Sequence, residues 1–192
     1  MEIDLTFALN YTVRTEVPLE SSGGALPRYC YPSRSTIEGT NGLVLEVTPN
    51  SGSPWLGIFG QGPKNFLDGV YALPNGHTLC VVSSGKGYFV ESAAPEQCRV
   101  KTEATRFARI LPERNMLILS DWHTLIAYGA HGFLWKTDVI GYGYSEFTVE
   151  RIVGNTLSGK VLNYRDQPAQ WVDFELNLIT GKHKGGVDYP SN

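Results

Sequence analysis

The sequence has few of the features that identify a function directly. Three cysteines occur among 192 residues, and no two of them stand in CxxC spacing. An odd number of thiols without that spacing argues against a disulfide framework and against a thiolate metal site. Cys80 lies within the apolar run TLCVV, so we expect it to be a small buried hydrophobic side chain.

Positive charge and long apolar runs are also scarce. The chain has 16 Lys and Arg against 19 Asp and Glu, and its net charge is −3. A general binder of nucleic acid or anionic membranes would carry a basic excess, so we expect neither partner. No stretch approaches the roughly 20 apolar residues that a membrane helix requires. The start, MEIDLTFALNYTV, lacks the basic region of a secretory signal, which predicts a cytoplasmic protein.

Recognised catalytic motifs are missing as well. The sequence contains no GxSxG, HExxH or P-loop, and no GxGxxG between a strand and a helix. The glycines of GIFGQG (57–62) lie between predicted strands, where turn geometry explains them. We therefore expect no cofactor, no metal site and no catalytic residues of a known type.

What the sequence does contain is a series of short apolar runs separated by turns. Runs such as LVLEV, WLGIF, HTLCVV and NMLIL alternate with segments rich in glycine and proline, of which there are 21 and 11. Turn signals every 8–12 residues or so are typical of all-β proteins. We predict a single all-β domain over residues 1–192.

Three segments allow more specific predictions. Residues 3–13 alternate apolar and polar side chains, which predicts one long, half-buried strand. Residues 18–42 are rich in Pro, Gly and Ser, which predicts an irregular loop excursion. Residues 95–110 are the best window for a short helix, although strands remain the main expectation there.

A segment that occurs twice indicates how the chain is built. Residues 66–92 and 104–137 each contain an apolar run, a Leu-Pro turn, a second apolar run, and a glycine before an aromatic strand. The Leu-Pro pairs at 73–74 and 111–112 lie 38 residues apart, and the Gly-aromatic pairs at 87–88 and 132–133 lie 45 apart. These distances are close to the length of a four-stranded propeller blade, about 40–50 residues.

The repeated segment carries a resemblance to known proteins. The patterns AYGAHGFLW (127–135) and FELNLITGK (174–182) resemble those of quinoprotein-like and WD-type β-propeller blades, over about residues 66–186. The chain is also similar to small bacterial proteins without an assigned activity. The resemblance implies a small or incomplete propeller-like repeat of antiparallel four-stranded units, and a β-sandwich or barrel is the alternative. If the sheet closes, the strand at 3–13 is expected to pair near WVDFELNLI at the C-terminal end.

Loops that contain tyrosine are the best candidates for a binding surface. VIGYGYSEF (139–147) interleaves tyrosines with glycines, a composition suited to protein or sugar contacts. The RYCYPSR segment (28–34) has a similar character. The predicted binding surface therefore consists of Tyr29, Tyr31, Arg34, Tyr142 and Tyr144.

One pair of polar residues also merits attention. Asp121 and His123 in SDWHT would point the same way if they lay on a strand, so they could act as a proton-transfer pair. A metal site needs three or four convergent ligands and hydrolysis needs a nucleophile, and the sequence supplies neither. A structural role for this pair is the stronger interpretation.

The functional hypothesis that follows is a non-enzymatic interaction module that binds a protein partner through its loops. A narrower form is an immunity-type protein that neutralises a toxin. The first alternative is a β protein that binds a small ligand or carbohydrate through exposed aromatic residues. The second alternative is a hydrolase of unknown type that uses Asp121 and His123.

Overall fold

The chain folds entirely into β-structure over the part that is described. The structure is a computed structural model that describes residues 1–15, 17, 26–32, 42–63, 65–142 and 145–187. Within these ranges it has seventeen strands, and its one helical segment is a 3₁₀ turn at Pro112–Arg114. The all-β prediction is confirmed. No helix in the described ranges is long and apolar enough to span a membrane.

The strands form four sheets in two compact units, Met1–Glu103 (unit 1) and Ala104–Asn192 (unit 2). Sheet 1, in unit 1, has the order β2-β4-β5-β3, and β3 is parallel to β5. Its strands are β2 (Tyr11–Arg14), β3 (Arg28–Tyr31), β4 (Gly42–Pro49) and β5 (Trp55–Gly60).

Sheet 2 completes unit 1 and has the order β1-β6-β7-β8-β9, with β1 parallel to β6. Its strands are β1 (Glu2–Asp4), β6 (Gly69–Ala72), β7 (Thr78–Ser83), β8 (Lys86–Glu91) and β9 (Ala94–Thr102). Every residue of β7 is buried, which explains its unbroken apolar sequence. The prediction that Cys80 is a buried hydrophobic side chain is confirmed, because its exposure is 0%.

The two sheets of unit 1 share one hydrophobic core, to which both contribute large side chains. Polar groups of buried aromatic residues tie the sheets together. The Trp55 indole donates to the Ser92 carbonyl at 2.8 Å, and the Tyr31 hydroxyl donates to the Pro95 carbonyl at 2.6 Å. Buried aromatic residues with a polar group need such partners, so these contacts fix the sheets against each other.

Unit 2 consists of two antiparallel four-stranded meanders around a second core. Sheet 3 contains β10 (Ala108–Leu111), β11 (Met116–Asp121), β12 (Thr124–Gly129) and β13 (Gly132–Lys136). Sheet 4 contains β14 (Phe147–Val153), β15 (Thr156–Asn163), β16 (Gln170–Asn177) and β17 (His183–Gly185). The indole of Trp135 donates to the carbonyl of Leu178 at 2.8 Å and so links the two sheets.

The two copies of the repeated segment lie in successive sheets, sheet 2 and sheet 3. Of the two sequence features that the copies share, the Leu-Pro pairs occupy equivalent positions and the Gly-aromatic pairs do not. The strands β6, β10 and β14 begin at Gly69, Ala108 and Phe147, 39 residues apart in both cases. One Leu-Pro pair follows directly after β6 and the other begins with the last residue of β10, so the two pairs are equivalent. The Gly-aromatic pairs are not equivalent, because 87–88 lies in β8 and 132–133 lies in β13, the last strand of its meander.

The prediction of one long strand over residues 3–13 was wrong. Two short strands, β1 and β2, lie there in different sheets. Between them the carboxylate of Asp4 accepts hydrogen bonds from the backbone and the hydroxyl of Thr6, and the Ala8 amide donates to the Leu5 carbonyl. An aspartate that bonds the backbone two residues ahead favours a turn over a ladder, and this overrides the alternation.

Other expectations about the elements also need correction. Within the predicted loop 18–42, Arg28–Tyr31 is a strand, because its two tyrosines pack beside Trp55 and Phe59 of β5. Residues 18–25 and 33–41 of that segment lie outside the described residues. The window 95–110 forms β9 and β10, since pairing with β8 overrides the helical propensity of its charged residues. The strands that occupy the 3–13 segment pair within unit 1, β1 with β6 and β2 with β4.

Candidate functional site

The predicted binding residues fall into both units. Tyr29 and Tyr31 lie on β3 in unit 1, whereas Tyr142 lies in unit 2, where it forms an isolated parallel bridge with Asn163. Arg34 and Tyr144 lie outside the described residues. Asp121 and His123 lie in unit 2, at the hairpin turn that joins β11 to β12.

The β11–β12 turn has an unusual residue at its tip. Asp121 pairs with Thr124, so Trp122 and His123 form a two-residue hairpin loop. Trp122 has a φ of 53°, in the region that favours glycine. Three other described non-glycine residues have positive φ, and all of them are small and polar: Asn65, Ser84 and Asn115. A bulky side chain in this conformation is strained and is held there by its surroundings.

A loop from the end of sheet 3 is hydrogen-bonded to this turn. The amides of Ile140 and Gly141 both donate to the carbonyl of His123, at 2.9 and 3.1 Å. Ile140 is fully buried and anchors the loop in the core of unit 2. Gly141 lies so close to Ser145 that a Cβ atom would overlap its side chain. The backbone of residues 140–141 is therefore held beside the hairpin tip.

The turn and the loop, which are joined through their backbones, each carry large side chains that are partly exposed. Trp122 is 41% exposed and Tyr142 is 39% exposed, and Val139 has a similar exposure. We call the set Trp122, His123, Val139 and Tyr142 the Trp122 surface. Tyr142 and His123 belong to separate motifs of the sequence, and the contacts of the loop with the turn bring their backbone segments together.

Asp121 and His123 do not form a catalytic couple at the Nδ1 atom of His123. The carboxylate of Asp121 accepts a hydrogen bond from the Ala104 amide at 3.3 Å, which is a structural contact. The Nδ1 atom of His123 is buried and has no hydrogen-bond partner in the described ranges. Hydrolysis of the serine-protease type needs a carboxylate on one ring nitrogen and a nucleophile on the other. The described residues also contain no cluster of three or more potential metal ligands.

Tyr29 and Tyr31 line a groove in unit 1. The groove has a volume of about 520 Å³ and runs between β3 and β9, which are edge strands of sheets 1 and 2. Charged side chains of Arg28 and Glu96 line it together with the tyrosines. Burial raises the pKa of Tyr31 above its usual value and raises the pKa of the Cys98 thiol to about 12. Both groups are therefore uncharged at neutral pH.

Sequence reasoning missed the most exposed member of the hairpin tip. Trp122 stands in a motif without glycine, DWHT, and most tryptophans in strand-rich sequences are core residues. Its role depends on the two-residue turn, which places it at positive φ and away from the core. The only signal in the sequence is the position of Trp122 between two strand-like runs, NMLIL and HTLIAY.

No family model, curated protein or solved structure matches this chain.

Proposed function

We propose that this protein is a non-enzymatic interaction module and that the Trp122 surface binds a protein partner. The observation that carries the proposal is the exposure of Trp122 at a strained hairpin position, beside Tyr142 on a loop that is hydrogen-bonded to the same turn. Tryptophan and tyrosine are the residues most enriched among those that dominate protein–protein binding. Strained residues persist mainly where function requires them.

The rigidity of the Trp122 surface adds support. The buried side chain of Ile140 and the two amide contacts with His123 fix the loop before any partner arrives. A prearranged surface loses little conformational entropy on binding, so more of the contact energy becomes affinity. A protein partner with an apolar contact region fits two such partly exposed aromatic rings.

The proposal includes two finer features. Cys30, Cys80 and Cys98 are all free thiols, which is the usual state in a reducing compartment, so we place the protein in the cytoplasm. The 39-residue spacing of β6, β10 and β14 supports propeller-like blades, as the sequence resemblance implies. An experimental structure in which the sheets form a sandwich would contradict the second feature.

A capture experiment with matched variants tests the proposal. The immobilised protein is incubated with lysate of its source cells, in parallel with the Tyr142→Ala and Phe133→Ala variants, and the retained proteins are identified by mass spectrometry. Phe133 is a suitable control because it is 62% exposed and pairs with Tyr128, at the end of β12 away from the Trp122 turn.

We expect one protein, in stoichiometric amount, on the original chain and on Phe133→Ala but not on Tyr142→Ala. The identity of that protein then decides whether the pairing is of the immunity type. Retention of no protein, or equal retention by both variants, would contradict the proposal.

A further inference from the structure

A pocket in unit 2 has the size of a small-molecule site. Its lining comes from β15, β16, β17 and the turn between β16 and β17. The volume of about 530 Å³ lies within the usual range for such sites, about 300–1,000 Å³. The structure describes every lining residue together with its neighbours along the chain, and none of them belongs to the Trp122 surface.

One row of side chains in the pocket presents mainly hydrogen-bond donors. Thr156 lies opposite Asn177 in the β15–β16 ladder, and the Asn177 amide donates to the Lys182 carbonyl at 2.8 Å. These three residues therefore lie side by side at the end of sheet 4. The Oδ1 atom of Asn177 already accepts hydrogen bonds from the amides of Ile179 and Thr180, so its NH₂ group is the part that remains for a ligand.

Two ammonium groups and a hydroxyl add to this row. Lys182 and Lys184 are exposed and line the pocket, and neither forms an ion pair with a described residue. The Thr180 Oγ1 atom accepts a hydrogen bond from the Lys182 amide at 3.3 Å, which leaves the hydroxyl hydrogen for a ligand. A phosphate monoester carries a charge of about −1.5 to −2 near pH 7 and three strong acceptor oxygens. It matches two cations and several donors better than a carboxylate, which has one charge and two oxygens.

Glu175 limits what else the ligand can carry. It lines the pocket two residues before Asn177 on β16, so it lies on the same face of the sheet, about 7 Å from the donor row. A carboxylate only accepts hydrogen bonds, so it favours a hydroxyl group at that distance and repels a second anionic group. A nucleic-acid strand or another polyanion would bring one of its repeated charges towards Glu175, and the net charge of −3 opposes it as well.

We infer that this pocket binds a small phosphate monoester whose organic part carries hydroxyl groups. The phosphate lies on Thr156, Asn177 and Lys182, and a hydroxyl of the organic part donates to Glu175. The pocket is larger than a phosphate group alone, which leaves room for the organic part. The lysines are exposed, so salt screens their attraction and the neutral donors supply much of the selectivity.

The test is a nuclear magnetic resonance titration of the isotope-labelled full chain with glucose phosphate, ribose phosphate and glycerol phosphate. Glucose and glucuronate are the matched ligands without phosphate, and inorganic phosphate is the matched ligand without an organic part. The variants are Lys182→Gln, Thr156→Val, Glu175→Gln and the control Lys136→Gln. Lys136 is an exposed lysine of β13 that does not line the pocket. Thr156→Val keeps the net charge and the branched shape of the side chain, so it tests the direct contact separately from the overall charge.

We expect at least one phosphate monoester to shift the resonances of residues 156 and 175–184 in a saturable way, without an equal effect of glucose or glucuronate. Lys182→Gln should weaken this binding about tenfold, because a charge-assisted hydrogen bond is lost. Thr156→Val should weaken it about fivefold through the loss of a neutral hydrogen bond. Lys136→Gln should change it by less than about twofold, since an exposed charge outside the pocket is screened.

Glu175→Gln tests the contact with the organic part. It removes a repulsion that acts on every phosphate, but it also removes the charged acceptor of the ligand hydroxyl. The preference for the monoester over inorganic phosphate should therefore fall about fivefold. Binding of no monoester, equal binding of glucuronate, unchanged affinity in Thr156→Val, or an unchanged preference in Glu175→Gln would each overturn the inference.

Discussion

At the scale of single residues, Trp122 combines a cost in stability with the proposed role in binding. A residue with a side chain at positive φ loses roughly 1–2 kcal/mol relative to the usual conformation. Its neighbour His123 adds a second cost, because the buried Nδ1 atom has no partner in the described part of the chain. Two unfavourable features in one turn indicate selection for something other than stability.

Replacement of Trp122 by glycine should therefore stabilise the protein while it removes the projecting ring. Glycine adopts positive φ without strain but loses more entropy on folding, so we expect a net gain of about 0.5–1 kcal/mol in the free energy of unfolding. The measurement is a urea titration followed by circular dichroism. A decrease of more than about 1 kcal/mol in the free energy of unfolding would show that the Trp122 ring supports the fold, and the strain argument would be wrong.

Ser84→Gly is the matched control for this variant. Ser84 has a φ of 46° at the tip of the β7–β8 hairpin, so it carries the same kind of backbone strain in unit 1. It should gain a similar free energy of unfolding and leave partner binding unchanged. If Ser84→Gly also lost partner binding, the loss of binding in Trp122→Gly could not be attributed to the β11–β12 turn.

Single residues also show where sequence reasoning succeeds and where it stops. The burial of Cys80 was predictable, because its apolar neighbours on both sides leave no polar face. The exposure of Trp122 was not, because a tryptophan is usually buried and the turn geometry depends on which strands pair. Tyr29 and Tyr31 were selected from the composition of a predicted loop, yet they line the groove from a strand.

At the scale of elements, the hairpins of unit 2 are held by contacts between sheets 3 and 4. The turn after β16 places Gly181 at a φ of 70°, against the ring of Trp135. A Cβ atom at Gly181 would lie 2.9 Å from that ring. Because the Trp135 indole is also bonded to the Leu178 carbonyl, the ring has little freedom to move away.

Gly181→Ala should consequently destabilise unit 2 by about 2–4 kcal/mol, from backbone strain and from displacement of the Trp135 ring. Gly154→Ala is the control, because Gly154 has a φ of 56° and open space around its Cβ position. The Gly154→Ala variant should lose only about 1 kcal/mol in the free energy of unfolding. Urea titrations of both variants give the comparison, and equal losses would contradict the packing argument.

The sequence predicts strands correctly where the local pattern of apolar residues and turns agrees with the strand pairing in the structure. The Leu-Pro turns and the apolar runs around them indicated the pairs of strands that each turn joins, β6 and β7 in sheet 2 and β10 and β11 in sheet 3. The single strand at 3–13 failed because alternation cannot reveal a turn formed by an aspartate side chain. The chain also crosses from sheet 2 to sheet 1 at this turn, and such an exchange leaves no periodic trace.

At the scale of the whole molecule, the ionisable groups with the most strongly raised pKa values lie in unit 1. Burial raises the pKa of two thiols and four phenols there, chiefly through desolvation. In unit 2, partial burial also raises the pKa of the exposed Tyr164. The unit 1 groups are Tyr11, Tyr31, Tyr71, Cys80, Tyr88 and Cys98.

This distribution predicts that unit 1 loses stability in alkali. The unfolded chain releases these protons near its ordinary pKa values, about 9 for Cys and 10 for Tyr, while the folded unit retains them. The stability is therefore complete below about pH 9 and declines as the pH rises further. Cys80 alone should lower the free energy of unfolding by about 2 kcal/mol at pH 10.5, relative to its value below pH 9.

Urea titrations at pH 8 and pH 10.5, with brief proteolysis to locate the unfolded segment, measure this effect. The first cleavages at high pH should fall within residues 1–103. A Cys80→Ala variant should lose less stability between the two pH values than the original chain. First cleavage within unit 2, or an identical pH dependence of the variant, would contradict the prediction.

The central claim is that the Trp122 surface binds a protein partner, and the dissociation constant of the captured partner tests it most directly. It is measured for the original chain, Trp122→Gly and Phe133→Ala by calorimetry. We predict at least about tenfold weaker binding for Trp122→Gly, as for a residue that dominates an interface, and a change of less than about twofold for Phe133→Ala. Equal affinities of Trp122→Gly and the original chain would contradict the claim.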